Sequence, residues 1–183
     1  MLIDASRATL LVIDVQEKLI GAVSDPAGTL ARTRWLLAAT AALDLPTVIS
    51  EQYPKGLGPT VASLLEAAPA AQVVEKLHFS CVAGECLPAA LLAREQVIVC
   101  GMETHVCVLQ TVIELLDSGK QVFVVADACD SRSAASKAAG LERMRGAGAQ
   151  IVTREMVLFE LMRSSSHEQF RVISKTFLVG EQP

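Results

Sequence analysis

The sequence predicts an α/β fold, a single-domain three-layer sandwich. Its doubly wound, six-stranded parallel sheet has the order 3-2-1-4-5-6, with helices on both faces. Two observations carry this expectation and a third supports it. Short apolar runs alternate with longer helical patterns from end to end, the signature of βαβ units joined by right-handed crossovers. The first run, Ala8-Thr-Leu-Leu-Val-Ile13, is apolar at all but one position, as in a strand covered on both faces. Apolar residues make up 51% of the chain and aromatics only 4%. Ala, Leu and Val therefore fill the core, which suits helices laid closely on a sheet. A chain of 183 residues without linker, repeat or low-complexity tract reads as one domain over 1–183, long enough for a substantial core.

The elements follow in order. Residues 8–13 form the first strand, and 29–43 a helix with Leu30, Trp35, Leu36, Leu37 and Leu43 available for its inner face. Residues 46–50 are the second strand, 52–59 a turn-rich loop with two prolines, and 61–67 a short helix. The third strand spans 72–76, a helix 87–93, and the fourth strand 96–100. A helix over 104–118 ends at Gly119, as at a C-cap. The fifth strand is 122–126, a helix over 134–147 closes at Gly146 and Gly148, and the sixth strand is 149–152, followed by two short helices.

Composition excludes several functions. The net charge of −4 gives no basic footprint, so neither nucleic acid nor an anionic membrane is expected as a partner. The start of the chain runs into a strand with no charged and apolar leader pattern. No apolar run approaches the ~18 residues of a membrane span. The five cysteines include no C-x-x-C pair, Cys81 and Cys86 being five apart. Free thiols and a cytoplasmic location are the expectation.

Ligands of doubly wound sheets bind beyond the carboxyl ends of the strands. There the first strand delivers Asp14, the third Lys76, and the fourth Cys107 across the Gly101 turn. Each has a duller reading on its own: a capping aspartate, a solvated lysine, a small buried thiol. Cys81, Cys86, Cys100 and Cys129 are read in that last way. Together, an acid, a base and a nucleophile at one sheet edge describe a cysteine hydrolase without a histidine base. At a helix mouth, free N–H groups and the helix dipole favour a thiolate and suit an oxyanion. Cys107 is therefore expected to be an acidic, fast-alkylating thiol.

Val12-Ile-Asp14-Val-Gln16, Lys76-Leu-His-Phe-Ser80 and Gly101-Met-Glu-Thr-His-Val-Cys107-Val resemble the isochorismatase-like hydrolases in order and spacing. That family of cysteine hydrolases also contains nicotinamidases and N-carbamoylsarcosine amidohydrolase. The loop from Ser50 to Gly58 and Asp127-Ala-Cys-Asp-Ser-Arg-Ser133 further resemble its YcaC-related branch, which includes the animal isochorismatase domain-containing proteins. The resemblance implies a triad of Asp14 as proton acceptor and donor, Lys76 as its partner and Cys107 as nucleophile. It implies a cis peptide at Met102–Glu103, aiming the Glu103 N–H beside that of Cys107 as an oxyanion hole. Gln16, Tyr53, His78 and Phe79 are implied as pocket residues. No cofactor is implied, and a homo-oligomer is.

Nicotinamidases hold a metal through an Asp-x-His pair and a further histidine. The matching stretch here, Ser50-Glu-Gln-Tyr-Pro-Lys55, has no histidine, so no metal is expected and nicotinamide is disfavoured. Retention of Cys107 favours a small amide-type substrate over isochorismate-type vinyl ether hydrolysis. His105 lies two residues from Cys107, on a different helical face, and His167 is remote, so neither reads as a base. A haloacid-dehalogenase-like phosphatase needs an acid where Gln16 stands, and neither a dinucleotide fingerprint nor a Walker lysine is present. Two rivals remain. One is a scaffold keeping the fold and a pocket, and the other a redox-sensing thiol protein that needs Cys100 or Cys81 as a resolving partner.

Overall fold

Every side chain of the first strand, β1 (Ala8–Ile13), is buried, which requires cover on both faces of the sheet. The computed structural model describes residues 1–179, and the end of the expected domain, 180–183, lies outside the described residues. β1 pairs in parallel with β2 (Thr47–Gln52) on one side and β4 (Gln96–Met102) on the other. β3 (Gln72–Lys76) extends the sheet beyond β2. β5 (Gln121–Asp130) and β6 (Gln150–Val152) extend it beyond β4. The sheet has six strands, all parallel, in the order β3-β2-β1-β4-β5-β6.

The helices are α1 (Pro26–Ala41), α2 (Pro54–Leu57), α3 (Ala62–Ala67) and α4 (Ala89–Leu92), then α5 (Leu109–Asp117), α6 (Ala134–Gly146), α7 (Arg154–Met162) and α8 (Phe170–Ile173). α1 packs against α3 and α7, and α5 against α6, so two groups of helices clothe the sheet. Trp35 of α1 fixes the end of the described chain. Its indole Nε1–H donates to the Phe177 carbonyl at 3.1 Å, and its ring meets that of Phe177 edge-on. Among the described residues no helix is long and apolar enough to cross a membrane.

Boundaries differ from the sequence reading where local chemistry overrides hydrophobic period. α1 starts three residues earlier, because Asp25 accepts from the Gly28 N–H as N-cap and Pro26 occupies the first turn. The loop over 52–59 contains the single turn α2. β5 runs on to Asp130, past a register shift against β4 between Val99 and Gly101. Asp130 then accepts from the Ser24 hydroxyl (2.9 Å), the Asp25 N–H (2.8 Å) and the Thr29 hydroxyl (3.2 Å), tying the sheet edge to the start of α1. The helix expected over 104–118 opens with a wide π-helical turn, Thr104–Val108, before α5.

Candidate active site

Asp14 is the first residue after β1, and it turns the chain with a left-handed φ of 54°. Its N–H donates to the Ser50 carbonyl at 3.0 Å, so the strand pairing itself places the carboxylate. A non-glycine residue in this conformation persists only where its surroundings hold it, and such positions concentrate at functional sites. Beside it, Gly101 (φ 114°) ends the apolar run of β4. A Cβ on Gly101 would lie 2.1 Å from the Ile13 carbonyl oxygen, so only glycine lets β4 approach β1 this closely.

The Asp14 carboxylate gathers two donors. Lys76, the last residue of β3, donates from Nζ to Oδ2 at 2.7 Å, and both side chains are fully buried. The Ser50 hydroxyl donates to Oδ1 at 2.7 Å. The Cys107 thiol, held in the π-helical turn, is near enough for the Asp14 charge to bear on it. Lys76 Nζ makes a second bond, to Gln52 Oε1 at 2.8 Å. The structure therefore pairs Asp14 with Lys76 directly and sets Cys107 within the electrostatic reach of both.

Electrostatics correct one expectation. Cys107 is not an acidic thiol. Burial pushes it up to about 12, and the Asp14 charge adds to the rise against the opposing pull of Lys76. At 6% exposure the desolvation of a thiolate outweighs the favourable helix position, and the nearest charge is a carboxylate. The thiol thus rests protonated. Burial also pushes the Asp14 carboxyl up, against the Lys76 ammonium and the bond from Ser50. Burial alone would lower Lys76, but the Asp14 carboxylate more than offsets it, and the net direction is upward.

The Met102–Glu103 peptide is cis. The Glu103 side chain is nearly buried and forms a bidentate pair with Arg132, Nε to Oε1 at 2.7 Å and Nη2 to Oε2 at 3.0 Å. Its charge also bears on Cys107, raising the thiol further.

The expected pocket residues divide. Tyr53 and His78 line a cleft of about 460 Å³ with Lys55, Glu75 and Lys76, but the lining does not include Cys107. Phe79 is exposed and lies outside that lining. Gln16 is fully buried and spends its amide on backbone. Its Nε2 donates to the Gln52 and Gly58 carbonyls (3.0 and 2.6 Å) and its Oε1 accepts from the Gln52 N–H (2.7 Å). It thus fixes the residue whose side chain holds Lys76. His105 Nδ1 meets the Ser131 hydroxyl at 3.0 Å, and His167 Nδ1 accepts from the Gln169 N–H. Among the described residues no cluster of three or more His, Cys, Asp or Glu side chains is placed to hold a metal ion.

Sequence reasoning passed over Ser50, Gln52 and Arg132. Ser50 stands opposite Ile13, and Gln52 opposite Lys76, in the parallel register. Applying to the second strand the rule that found Asp14 and Lys76 would have found both.

A parallel sheet of this order, with an aspartate, a lysine and a cysteine meeting at its carboxyl edge, is the arrangement implied by the resemblance to isochorismatase-like hydrolases. The Isochorismatase domain profile matches residues 8–156, and the chain belongs to the isochorismatase family. It is similar to isochorismatase domain-containing protein 2A of Mus musculus, 40% identical over 169 residues that cover 91% of this chain and 80% of that one. Among solved structures it is similar to the MAR1 ribonuclease of Caenorhabditis elegans. That match has a TM-score of 0.92 and 35% identity, covering 100% of this chain and 95% of that one. It is also similar to YcaC of Pseudomonas aeruginosa, solved with hexane-2,5-diol and covalent acrylamide. Here the TM-score is 0.89 and the identity 29%, over 97% of this chain and 92% of that one.

Proposed function

We propose that the protein is a cysteine hydrolase that cleaves a small amide-type substrate without a metal ion, through a covalent intermediate on Cys107. One observation carries this reading. The Lys76 ammonium donates to the buried Asp14 carboxylate at 2.7 Å, and the Asp14 charge bears on the Cys107 thiol. A thiol that rests protonated needs a base beside it, and Asp14 is that base. The Pseudomonas YcaC structure carries covalent acrylamide, an electrophile that thiols add to at its vinyl carbon, which supports a reactive nucleophile in that relative and leaves its substrate open.

The Cys107 sulfur attacks the carbonyl carbon while Asp14 takes the thiol proton. The oxyanion lies against the N–H groups of Glu103 and Cys107. Collapse of the adduct expels the amine, which leaves with the proton returned by Asp14, and a thioester remains on Cys107. Water then attacks the thioester, with Asp14 again the base, releasing the acid and restoring the thiol. Lys76 holds the carboxylate in place and stabilises its anionic form. Tyr53 and His78, in the cleft beside Lys76, are the substrate-facing residues.

A second reading rests on the Caenorhabditis neighbour, a ribonuclease by name. The net charge of −4 counts against an RNA substrate. A vinyl ether of the isochorismate kind and a ligand-binding scaffold without turnover are further alternatives. A panel of small amides, carbamoyl compounds, isochorismate and RNA, each with and without EDTA, separates these readings. Turnover of an amide or carbamoyl compound, insensitive to EDTA, is the expected result. Turnover of RNA alone, or no turnover at all, overturns it.

Self-association belongs to the same reading. Tyr53, Leu77 and Phe79 leave large apolar surface exposed around the cleft, and Val73 does so on the edge strand β3, a surface suited to a symmetric homo-oligomer. The five free cysteines suit a reducing, cytoplasmic setting.

A further inference from the structure

Two thiols that the hydrolytic chemistry does not use lie beside it. Cys81 and Cys86 stand at either end of a tight turn in the loop after β3. Within it the Gly84 N–H donates to the Ser80 carbonyl (3.0 Å), the Glu85 N–H to Val82 (2.9 Å) and the Cys86 N–H to Cys81 (3.3 Å). Glu85 adopts a left-handed φ of 50°, and Gly84 packs so closely that a Cβ there would sit 3.3 Å from the Lys76 Cβ. The turn folds the second cysteine back onto the first, and Cys86 Sγ donates to the Cys81 carbonyl at 3.4 Å.

We propose that Cys81 and Cys86 form an oxidative modification site, closed to an intrachain disulfide by a hydroperoxide. The two thiols are unequal. Cys86 is half-buried, and the Cys81 thiol beside it pushes its pKa down. Cys81 is fully buried and pushed up. Cys86 is therefore the attacking thiolate. Its sulfur displaces hydroxide from the peroxide: an S–O bond forms, the O–O bond breaks, and hydroxide gains a proton as the first water. The Cys81 sulfur then attacks the resulting sulfenic acid. An S–S bond forms, the S–O bond breaks, and the departing hydroxyl takes the Cys81 proton as the second water. Two thiols lose two electrons and one peroxide is reduced to two waters. Cys100 and Cys129 are fully buried in the sheet, and Cys107 lies in the π-helical turn before α5, so none of the three belongs to this turn.

The pairing stands independently of the hydrolase reading, and its test reads mass rather than activity. The full chain is treated with hydrogen peroxide, unfolded in guanidinium with iodoacetamide, and digested with trypsin without reductant. Both cysteines fall on the tryptic peptide 77–94, which holds no others. This peptide is expected unalkylated and lighter by two hydrogen atoms, and dithiothreitol before alkylation should restore the doubly alkylated form. Cys86→Ser should remove the mass loss and leave Cys81 alkylated. A doubly alkylated peptide after peroxide overturns the proposal. So does a sulfinic acid on Cys86 with Cys81 still free, or a bridge from Cys81 to Cys107.

Discussion

Replacing Asp14 by asparagine keeps the shape of the side chain and removes its charge, so it separates the two effects that the carboxylate has on Cys107. In the wild type the thiol is pushed up to about 12 from an ordinary 9.0, a rise of 12 − 9.0 = 3, with burial the first cause and Asp14 the next two opposing ionisation. At neutral pH only about one thiol in 10⁵ is then ionised, and each pH unit of relief is worth about 1.4 kcal/mol, or tenfold more thiolate. Asp14→Asn removes that opposition and lowers the alkaline midpoint of Cys107 alkylation, by about one pH unit for each 1.4 kcal/mol relieved. Hydrolysis should nevertheless fall by about 10²–10⁴, because the proton acceptor is gone. A more reactive cysteine in a less active enzyme is the signature. The assay is iodoacetamide labelling of Cys107, followed by peptide mass across the neutral-to-alkaline range, with a urea melt to check folding because Lys76 loses a buried partner. A midpoint that stays or rises in the variant refutes the reasoning, as does a wild-type midpoint near neutrality.

Three further expectations come from the same structure. Gly101→Ala should destabilise the protein by about 3 kcal/mol or more in urea unfolding, since its Cβ would lie 2.1 Å from the Ile13 carbonyl oxygen at a left-handed φ. A loss below about 1 kcal/mol would show that β1 and β4 can part cheaply. Arg132→Gln unpairs the buried Glu103 carboxylate and should raise the alkylation midpoint of Cys107, whereas Glu103→Gln should lower it. Cys107 and Cys129 are both pushed up to about 12 from 9.0. Their protonated forms therefore stabilise the fold fully below pH 9 and progressively less as pH rises through 12, by about 4 kcal/mol each across that window. Melting temperature against pH should fall less steeply in Cys129→Ala than in the wild type, and equal slopes would contradict this.

Asp14, Lys76 and Cys107 were legible because each is the polar residue that follows an apolar strand, and a parallel sheet brings such positions to one edge. Strand order and parallel pairing followed from the alternation of elements and from the resemblance. The acidity of Cys107 was not legible. It depends on burial and on the distance to Asp14, and the sequence showed only the helix mouth and the lysine. The pairing of Glu103 with Arg132 spans 29 residues, and no local pattern announces it. Cys81 and Cys86 lack the C-x-x-C spacing, and it is the tight turn with its left-handed Glu85 that folds Cys86 Sγ back onto the Cys81 carbonyl. Gln16 looked like a pocket residue from its place beside Asp14, yet the backbone of Gln52 and Gly58 claims its amide.

The central claim is a covalent intermediate on Cys107, and quenched-flow mass spectrometry tests it most directly. With any amide or carbamoyl compound that the wild-type protein turns over, samples quenched in acid during steady state should carry the acyl group on Cys107. Fragmentation of the tryptic peptide 95–120 distinguishes Cys107 from Cys100. The adduct should disappear as substrate is exhausted, EDTA should leave the rate unchanged, and Cys107→Ala should show neither adduct nor turnover. Turnover that persists in Cys107→Ala, or that EDTA abolishes, would contradict the account.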